Sequence, residues 1–225
     1  MKTNTLARRS FLKLAGLIGT GAFGALHAGA AWAKTSAQAG AAKIAAAARP
    51  AELADFKGEI VTRSDKGYLG WLWTMTWYRI KPSKQFPIMF ARPTDRNDLS
   101  VLVAYANKAN LQLVARSSGH NICNTCLVQD AITVDMSLFD QIGGIDTKNR
   151  TVWAGPRVLS EPLNRLLFEK GLAFPSAHTG FVTIGGYLLG GGMGWNMPNW
   201  GMGCASVLAA EVMLADGRVV IASET

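Results

Sequence analysis

The run Arg116-Ser117-Ser118-Gly119-His120-Asn121 gathers a guanidinium, two hydroxyls, an imidazole and a carboxamide around one glycine. Consecutive backbone N–H groups in a turn of small residues form a concavity that binds anions. A pyrophosphate suits such a loop, with Arg116 adding charge and the serines adding donors. The same composition also serves a plain chain reversal after a strand, so the loop by itself leaves both readings open.

A second tract narrows the chemistry. Residues 180–203 hold nine of the 24 glycines of the chain: Gly180, Gly185, Gly186, Gly190, Gly191, Gly192, Gly194, Gly201 and Gly203. Ordering glycine costs conformational entropy, which a linker tolerates. This tract is not a linker, because Val182, Ile184, Leu188, Leu189, Met193, Trp195 and Trp200 are set among the glycines. Bare backbone between large apolar residues points to close approach by something flat or bulky. A planar cofactor fits, and so does tight packing of chain on chain.

Other nucleotide signatures are absent. Gly190-Gly191-Gly192-Met193-Gly194 has the wrong spacing for G-x-G-x-x-G, and Gly201-Met202-Gly203 follows a loop rather than a strand. A conventional NAD site is therefore not expected, and neither is a Walker A phosphate loop. Cys123 and Cys126 stand at Cys-x-x-Cys spacing, with Cys204 the third cysteine. The pair reads as a redox couple, half a zinc site, a disulfide formed after export, or two cysteines with no special role. With three histidines and no second Cys-x-x-Cys, no metal site is expected.

The elements that must carry these loops follow from periodicity. Ile88 to Ala91 reads as a short buried strand. Pro93-Thr94-Asp95 opens a helix with Leu99, Leu102, Val103 and Ala106 on its apolar face and Asn110 as its stop. Leu111 to Ala115 is the next strand, and it ends directly at the 116–121 loop. Residues 131–135 and 151–154 read as further strands. Residues 158–170 read as a helix with Leu159, Leu163, Leu166 and Leu167 on one face and Gly171 after it. Residues 207–214 and 218–221 form a hairpin turning at Asp216-Gly217. Gly58 to Tyr78, with Trp71, Trp73 and Trp77, reads as irregular. The order implies an α+β fold of two small lobes.

The first 33 residues belong to another process. Arg8-Arg9-Ser10-Phe11-Leu12-Lys13 is a twin-arginine signature, followed by a glycine-rich apolar stretch and by Ala31-Trp32-Ala33, a small-x-small cleavage pattern. The glycines and His27 keep the stretch too mild for a stable membrane anchor. A periplasmic or secreted protein is expected, exported already folded and often around a cofactor. Residues 34–57 read as a flexible lead-in. Of the formal +8 charge, four units come from the leader, leaving +4 over the rest of the chain. No Lys/Arg run with interleaved aromatics follows, so nucleic acid is not an expected partner.

Taken in order, residues 88–92 and the following helix, the 116–121 loop, Asp135-Met136-Ser137, Gly171-Leu172-Ala173-Phe174-Pro175, residues 185–194 and Glu211 to Val220 resemble a known domain. It is the PCMH-type FAD-binding domain of the berberine-bridge-enzyme-like oxidoreductases, and the resemblance covers residues 58–225. It implies two α+β lobes, a small βαβ lobe and a larger, mainly antiparallel one, with FAD between them. It implies that Arg116, Ser117, Ser118, Gly119, His120 and Asn121, together with Thr179, Val182, Gly185, Gly186, Gly190, Gly191, Gly192 and Val220, line the cofactor. In the family, the histidine matching His120 bonds to the 8α-methyl of the flavin. Some members attach it again through a cysteine, but the matching residue here is Thr179, so single attachment is expected.

The resemblance further implies an oxidase or dehydrogenase that takes hydride from an alcohol, a sugar or a similar small molecule, with O2 as one acceptor. Family members are longer and carry a substrate domain that supplies the catalytic base. None can be assigned here, and the sequence is expected to be part of a longer reading frame. The alternatives are an inactive FAD-binding fragment, an exported binding protein and, against the leader, a nucleotide-sugar reductase.

Overall fold

The computed structural model describes residues 50–77 and 85–224. The leader and the first part of the lead-in lie outside them. The α+β expectation holds.

The first half of the molecule is a four-stranded sheet in the order β1-β2-β4-β3. Its strands are β1 (Glu59–Thr62), β2 (Met89–Arg92), β3 (Leu113–Arg116) and β4 (Ile132–Asp135). β1 runs antiparallel to β2, whereas β2, β4 and β3 are mutually parallel. Parallel strands are covered on both faces, so they read as unbroken apolar runs. Met89 and Ala91 face one core with Leu102, Ala106 and Ile132, while Phe90 faces another with Tyr68, Leu72 and Met75. The first core is roofed by α2 (Arg96–Ala109), the second by α1 (Tyr68–Thr74).

Sequence punctuation sets the ends of α2. The Asp95 carboxylate accepts from the Asp98 N–H at the first turn, and Asn110 takes a left-handed φ of 54° at the last. Gly58 to Trp77, read as part of an irregular segment that runs to Tyr78, is not irregular, because it supplies β1 and α1; Tyr78 lies outside the described residues. The packed structure also begins before residue 58. Leu53 and Phe56, at 0% and 2% exposure, belong to the first core.

The second half is built around α3 (Ser160–Phe168). Leu163 and Leu167 bury with Val158 and Ile184 against β5 (Ile142–Asp146) and β6 (Thr151–Ala154). Leu166 turns outward and Leu159 caps the helix, so the apolar face is narrower than the sequence implied. The antiparallel strands form two separate ribbons rather than one larger sheet: β5 with β6, and β7 (Ala209–Met213) with β8 (Val219–Ser223). The second ribbon is tied to α2 by Arg96 with Glu211 and by Asn107 Nδ2 donating to the Ala215 carbonyl at 2.6 Å.

Register puts Arg116 beside Asp135 at the carboxyl ends of β3 and β4. Asp135 is 1% exposed and accepts from Arg92 Nε at 2.9 Å, Arg116 Nη1 at 3.0 Å and Ser137 Oγ at 3.0 Å. Removing one member of a buried ion pair strands the other charge. Asp135→Ala is therefore expected to cost about 3 kcal/mol in denaturant unfolding. A change within about 0.5 kcal/mol, as for an ordinary surface substitution, would remove this cluster as the anchor of the loop that follows β3.

Candidate functional site

The 116–121 loop leaves the carboxyl end of a parallel strand, the usual position for ligands in such sheets. Its bend is set at Gly119, which has φ of +72°. A Cβ there would lie 2.0 Å from the Met75 carbonyl oxygen, so glycine is required by both conformation and space. The end of α1 forms the floor. The Trp77 N–H donates to the Gly119 carbonyl at 3.3 Å, and Trp77 Nε1 donates to the His120 carbonyl at 2.9 Å. The two rings stack at 5.1 Å and 16°.

Among the described residues, no acceptor takes the backbone N–H groups of Ser117, Ser118, Gly119, His120 or Asn121. Five successive donors without acceptors around a left-handed glycine are the ingredients of an anion-binding turn. Arg116 departs from expectation. Its guanidinium bonds Asp135, the carbonyl oxygens of Met75 and Thr74, and that of Ser118. It shapes the loop from below, and its charge is already matched by a carboxylate.

The glycine tract meets this loop. Thr183 Oγ1 donates to Ser118 Oγ at 3.0 Å, and Ser118 Oγ lies 3.1 Å from His120 Nδ1. Ser118 Oγ thus links the Thr183 hydroxyl to the His120 ring at Nδ1. Thr183 is fixed by its bridge to Leu159, and the chain after it by Ile184 N–H to the Val158 carbonyl and Gly185 N–H to the Pro156 carbonyl. Burial first, then the nearby cations Arg116 and Arg157, lower the pKa of His120 below the ordinary imidazole value. The ring is therefore neutral at pH 7 and keeps a nitrogen lone pair.

The tract itself is a short helix, α4 (Ile184–Leu189), followed by a reversal at Gly191 and Gly192, with φ of +95° and +77°. Much of its demand for glycine comes from chain packing. A Cβ would meet Pro156 at Gly185, the Tyr187 ring at Gly192 and the Ser176 carbonyl at Gly194, each under 3.0 Å. Gly186, in the first turn of α4, has open space, and Gly190 meets only its own helix at 3.5 Å. The tract thus serves the fold at Gly185 and Gly192 and leaves open space on the side-chain side of Gly186.

The remaining expected residues are placed as follows. The Thr179 carbonyl accepts from the Val182 N–H, and the Val182 carbonyl accepts from Ser160 N–H and Oγ. Val220 lies on β8 opposite Val212, in the ribbon docked on α2. No hydrogen bond among the described residues ties it to the loop. His178 packs edge-on against Trp195 at 5.1 Å. Cys123 is exposed and Cys126 is buried against the Met75 carbonyl; both are free thiols.

Two residues escaped the sequence reading, Thr183 and Arg157, and the contact of Trp77 with His120 escaped it too. Thr183 adjoins the predicted Val182, and its hydroxyl amid apolar residues was the available signal. Trp77 stood out as an aromatic of the 58–78 segment, but nothing in the order of residues paired it with His120, 43 residues on. A strong cation in a short strand-to-helix turn was the only mark of Arg157.

A family model described as "FAD binding domain" matches residues 87–223. An FAD-linked oxidoreductase of Penicillium janthinellum, janO, is 32% identical over 147 residues, 65% of this chain and 32% of that protein. The crystal structure of 6-hydroxy-D-nicotine oxidase from Arthrobacter nicotinovorans superposes with a TM-score of 0.67 at 28% identity, covering 75% of this chain and 36% of that one. A berberine-bridge-enzyme-like protein of Physcomitrella patens shares the fold, with a TM-score of 0.69 at 23% identity over 76% of this chain and 37% of its own. The chain spans about a third of the length of these relatives. A loop of five free amides joined to a glycine tract and a matching family model together show that this chain belongs to the FAD binding domain family of FAD-linked oxidoreductases.

Proposed function

We propose that this chain holds FAD covalently on His120 and forms the cofactor-binding part of an enzyme that oxidises a small alcohol, sugar, amine or similar molecule. The observation that carries the reading is the Ser118–Thr183 hydrogen bond, which seats the five-donor loop on the glycine tract. The donors suit the diphosphate, and the open backbone at Gly186 suits the approach of a flat ring. Bound FAD supplies the hydride acceptor, and the name of the nicotine oxidase relative favours O2 as the next one.

His120 is suited to attachment because its ring is neutral, oriented by Ser118 at Nδ1 and supported on one face by Trp77. Thr179 offers no thiol, so a second attachment has no nucleophile there. Phe181, Leu189 and Trp195 stand 73%, 93% and 79% exposed around the tract, an apolar surface suited to substrate or to the remainder of a longer protein. Export by the twin-arginine route, to the periplasm or beyond, rests on Arg8-Arg9 and Ala31-Trp32-Ala33. No helix among the described residues is long and apolar enough to cross a membrane.

The test is the fate of the flavin. Protein loaded with FAD and precipitated in acid is expected to stay yellow. A colourless pellet with a yellow supernatant rejects the covalent bond, and failure to take up FAD at all rejects the site.

A further inference from the structure

Arg157 is a cation with no ion-pair partner among the described residues, set where the FAD reading needs charge. Its backbone is fixed on both sides. Its own N–H donates to the Phe139 carbonyl at 2.9 Å, while the carbonyl groups of Pro156 and Val158 accept from Gly185 and Ile184. That puts its Cα beside the strand-like start of the glycine tract, one residue along from the Thr183 that holds Ser118. The side chain is half-buried, and Nε is fully buried with no hydrogen-bond partner among the described residues. No carboxylate among them lies within ion-pair reach of it. Asp135, the nearest buried acid in this region, is already shared by Arg92 and Arg116.

The surroundings make this arrangement costly without a ligand. Burial first, and then the like charge of Arg116, lower the affinity of the guanidinium for its proton, while Asp135 and Asp140 act on it only from a distance. Its charge is also felt at His120. A buried donor without an acceptor and a cation beside a cation are both unfavourable, so the group is suited to an anion that arrives from outside the chain.

We propose that Arg157, rather than Arg116, supplies the positive charge that neutralises the diphosphate of the dinucleotide beside the amides of residues 117–121. This rests on the FAD reading above and adds to it a residue and a role. Arg116 is confined to holding the loop in shape, and the affinity for the phosphates is carried by the five amides together with Arg157.

The two readings separate with ADP, which bears the diphosphate but no ring for His120 to hold, and riboflavin, which bears the ring but no phosphate. Ligand-free protein is titrated with each, as wild type, Arg157→Gln and Arg157→Lys. Arg157→Gln is expected to weaken ADP about tenfold or more and to leave riboflavin unchanged, with Arg157→Lys retaining part of the loss. The ligand-free Arg157→Gln protein is expected to melt at or above the wild-type midpoint, because an uncompensated buried charge has been removed.

A structural role for Arg157 would give the opposite sign: a lower midpoint and equal losses for both ligands. That result, or unchanged ADP affinity, overturns the proposal. If wild type binds FAD and ADP while Arg157→Gln does so equally well, only this inference falls. If wild type binds neither, the FAD reading falls with it.

Discussion

His120→Ala is expected to move all of the flavin from the acid-precipitated pellet into the supernatant, leaving protein that still binds FAD reversibly. The bond needs a nucleophilic nitrogen, and alanine offers none, so the covalent fraction falls to zero rather than by some factor. Reversible binding persists because the amide donors of residues 117–121 belong to the backbone and the Ser118–Thr183 bond does not pass through the imidazole. The Trp77 Nε1 bond is to the His120 carbonyl, which alanine retains; only the ring stack is lost.

The pH dependence of attachment has a definite sign. Burial, with Arg116 and Arg157, lowers the pKa of His120, so the reactive neutral ring predominates at pH 7 and above. Attachment rates measured on ligand-free protein should be flat across that range. They should fall only once the pH drops below the ordinary imidazole region near 6.5. The same shift sets a stability term: a histidine that must stay neutral when folded contributes fully above its unfolded pKa and loses that contribution as pH falls toward the folded value. Flavin that stays in the pellet of His120→Ala would place the attachment elsewhere.

Gly119→Ala is expected to destabilise the protein by about 3 kcal/mol, the sum of a left-handed alanine and a forced backbone shift. The added Cβ would lie 2.0 Å from the Met75 carbonyl oxygen, and that oxygen cannot yield cheaply because Arg116 Nε bonds to it at 3.1 Å. Relief therefore comes from the loop, whose displacement scatters the five amides and breaks the bond from the Trp77 N–H. Denaturant unfolding and FAD uptake should fall together. Near-wild-type values in both, with a change under about 0.5 kcal/mol, would mean that the left-handed turn is not what organises the donors.

The sequence read well where local rules and tertiary demands agree. The run from Ile88 to Ala115 announced itself by an unbroken apolar strand, a helix with Asp95 at one end and Asn110 at the other, and a second strand before a small-residue loop. The hairpin at Asp216-Gly217 was equally plain, since Gly217 takes φ of +83° there. It misled where an element is too short for a period to show or contradicts propensity. α1 has seven residues, three of them Trp71, Trp73 and Gly70, and it exists because Tyr68 and Leu72 cover Phe90. α4 carries Gly185 and Gly186, poor helix formers, in its first turn and is held by hydrogen bonds to Pro156 and Val158 rather than by preference.

The candidate site divides along the same line. By itself, composition marked a loop of small residues around His120 and a glycine-rich stretch as places of bare backbone, and the family resemblance implied that the two serve one nucleotide. Which arginine keeps its donors open was decided in three dimensions. The register of β3 against β4 sets Arg116 opposite Asp135 and fills its donors, while the turn after β6 leaves Arg157 half-buried, its Nε without a partner among the described residues. Charge is a property of the residue, but whether it remains available depends on what packs within a few ångströms, and strand pairing across distant positions fixes that.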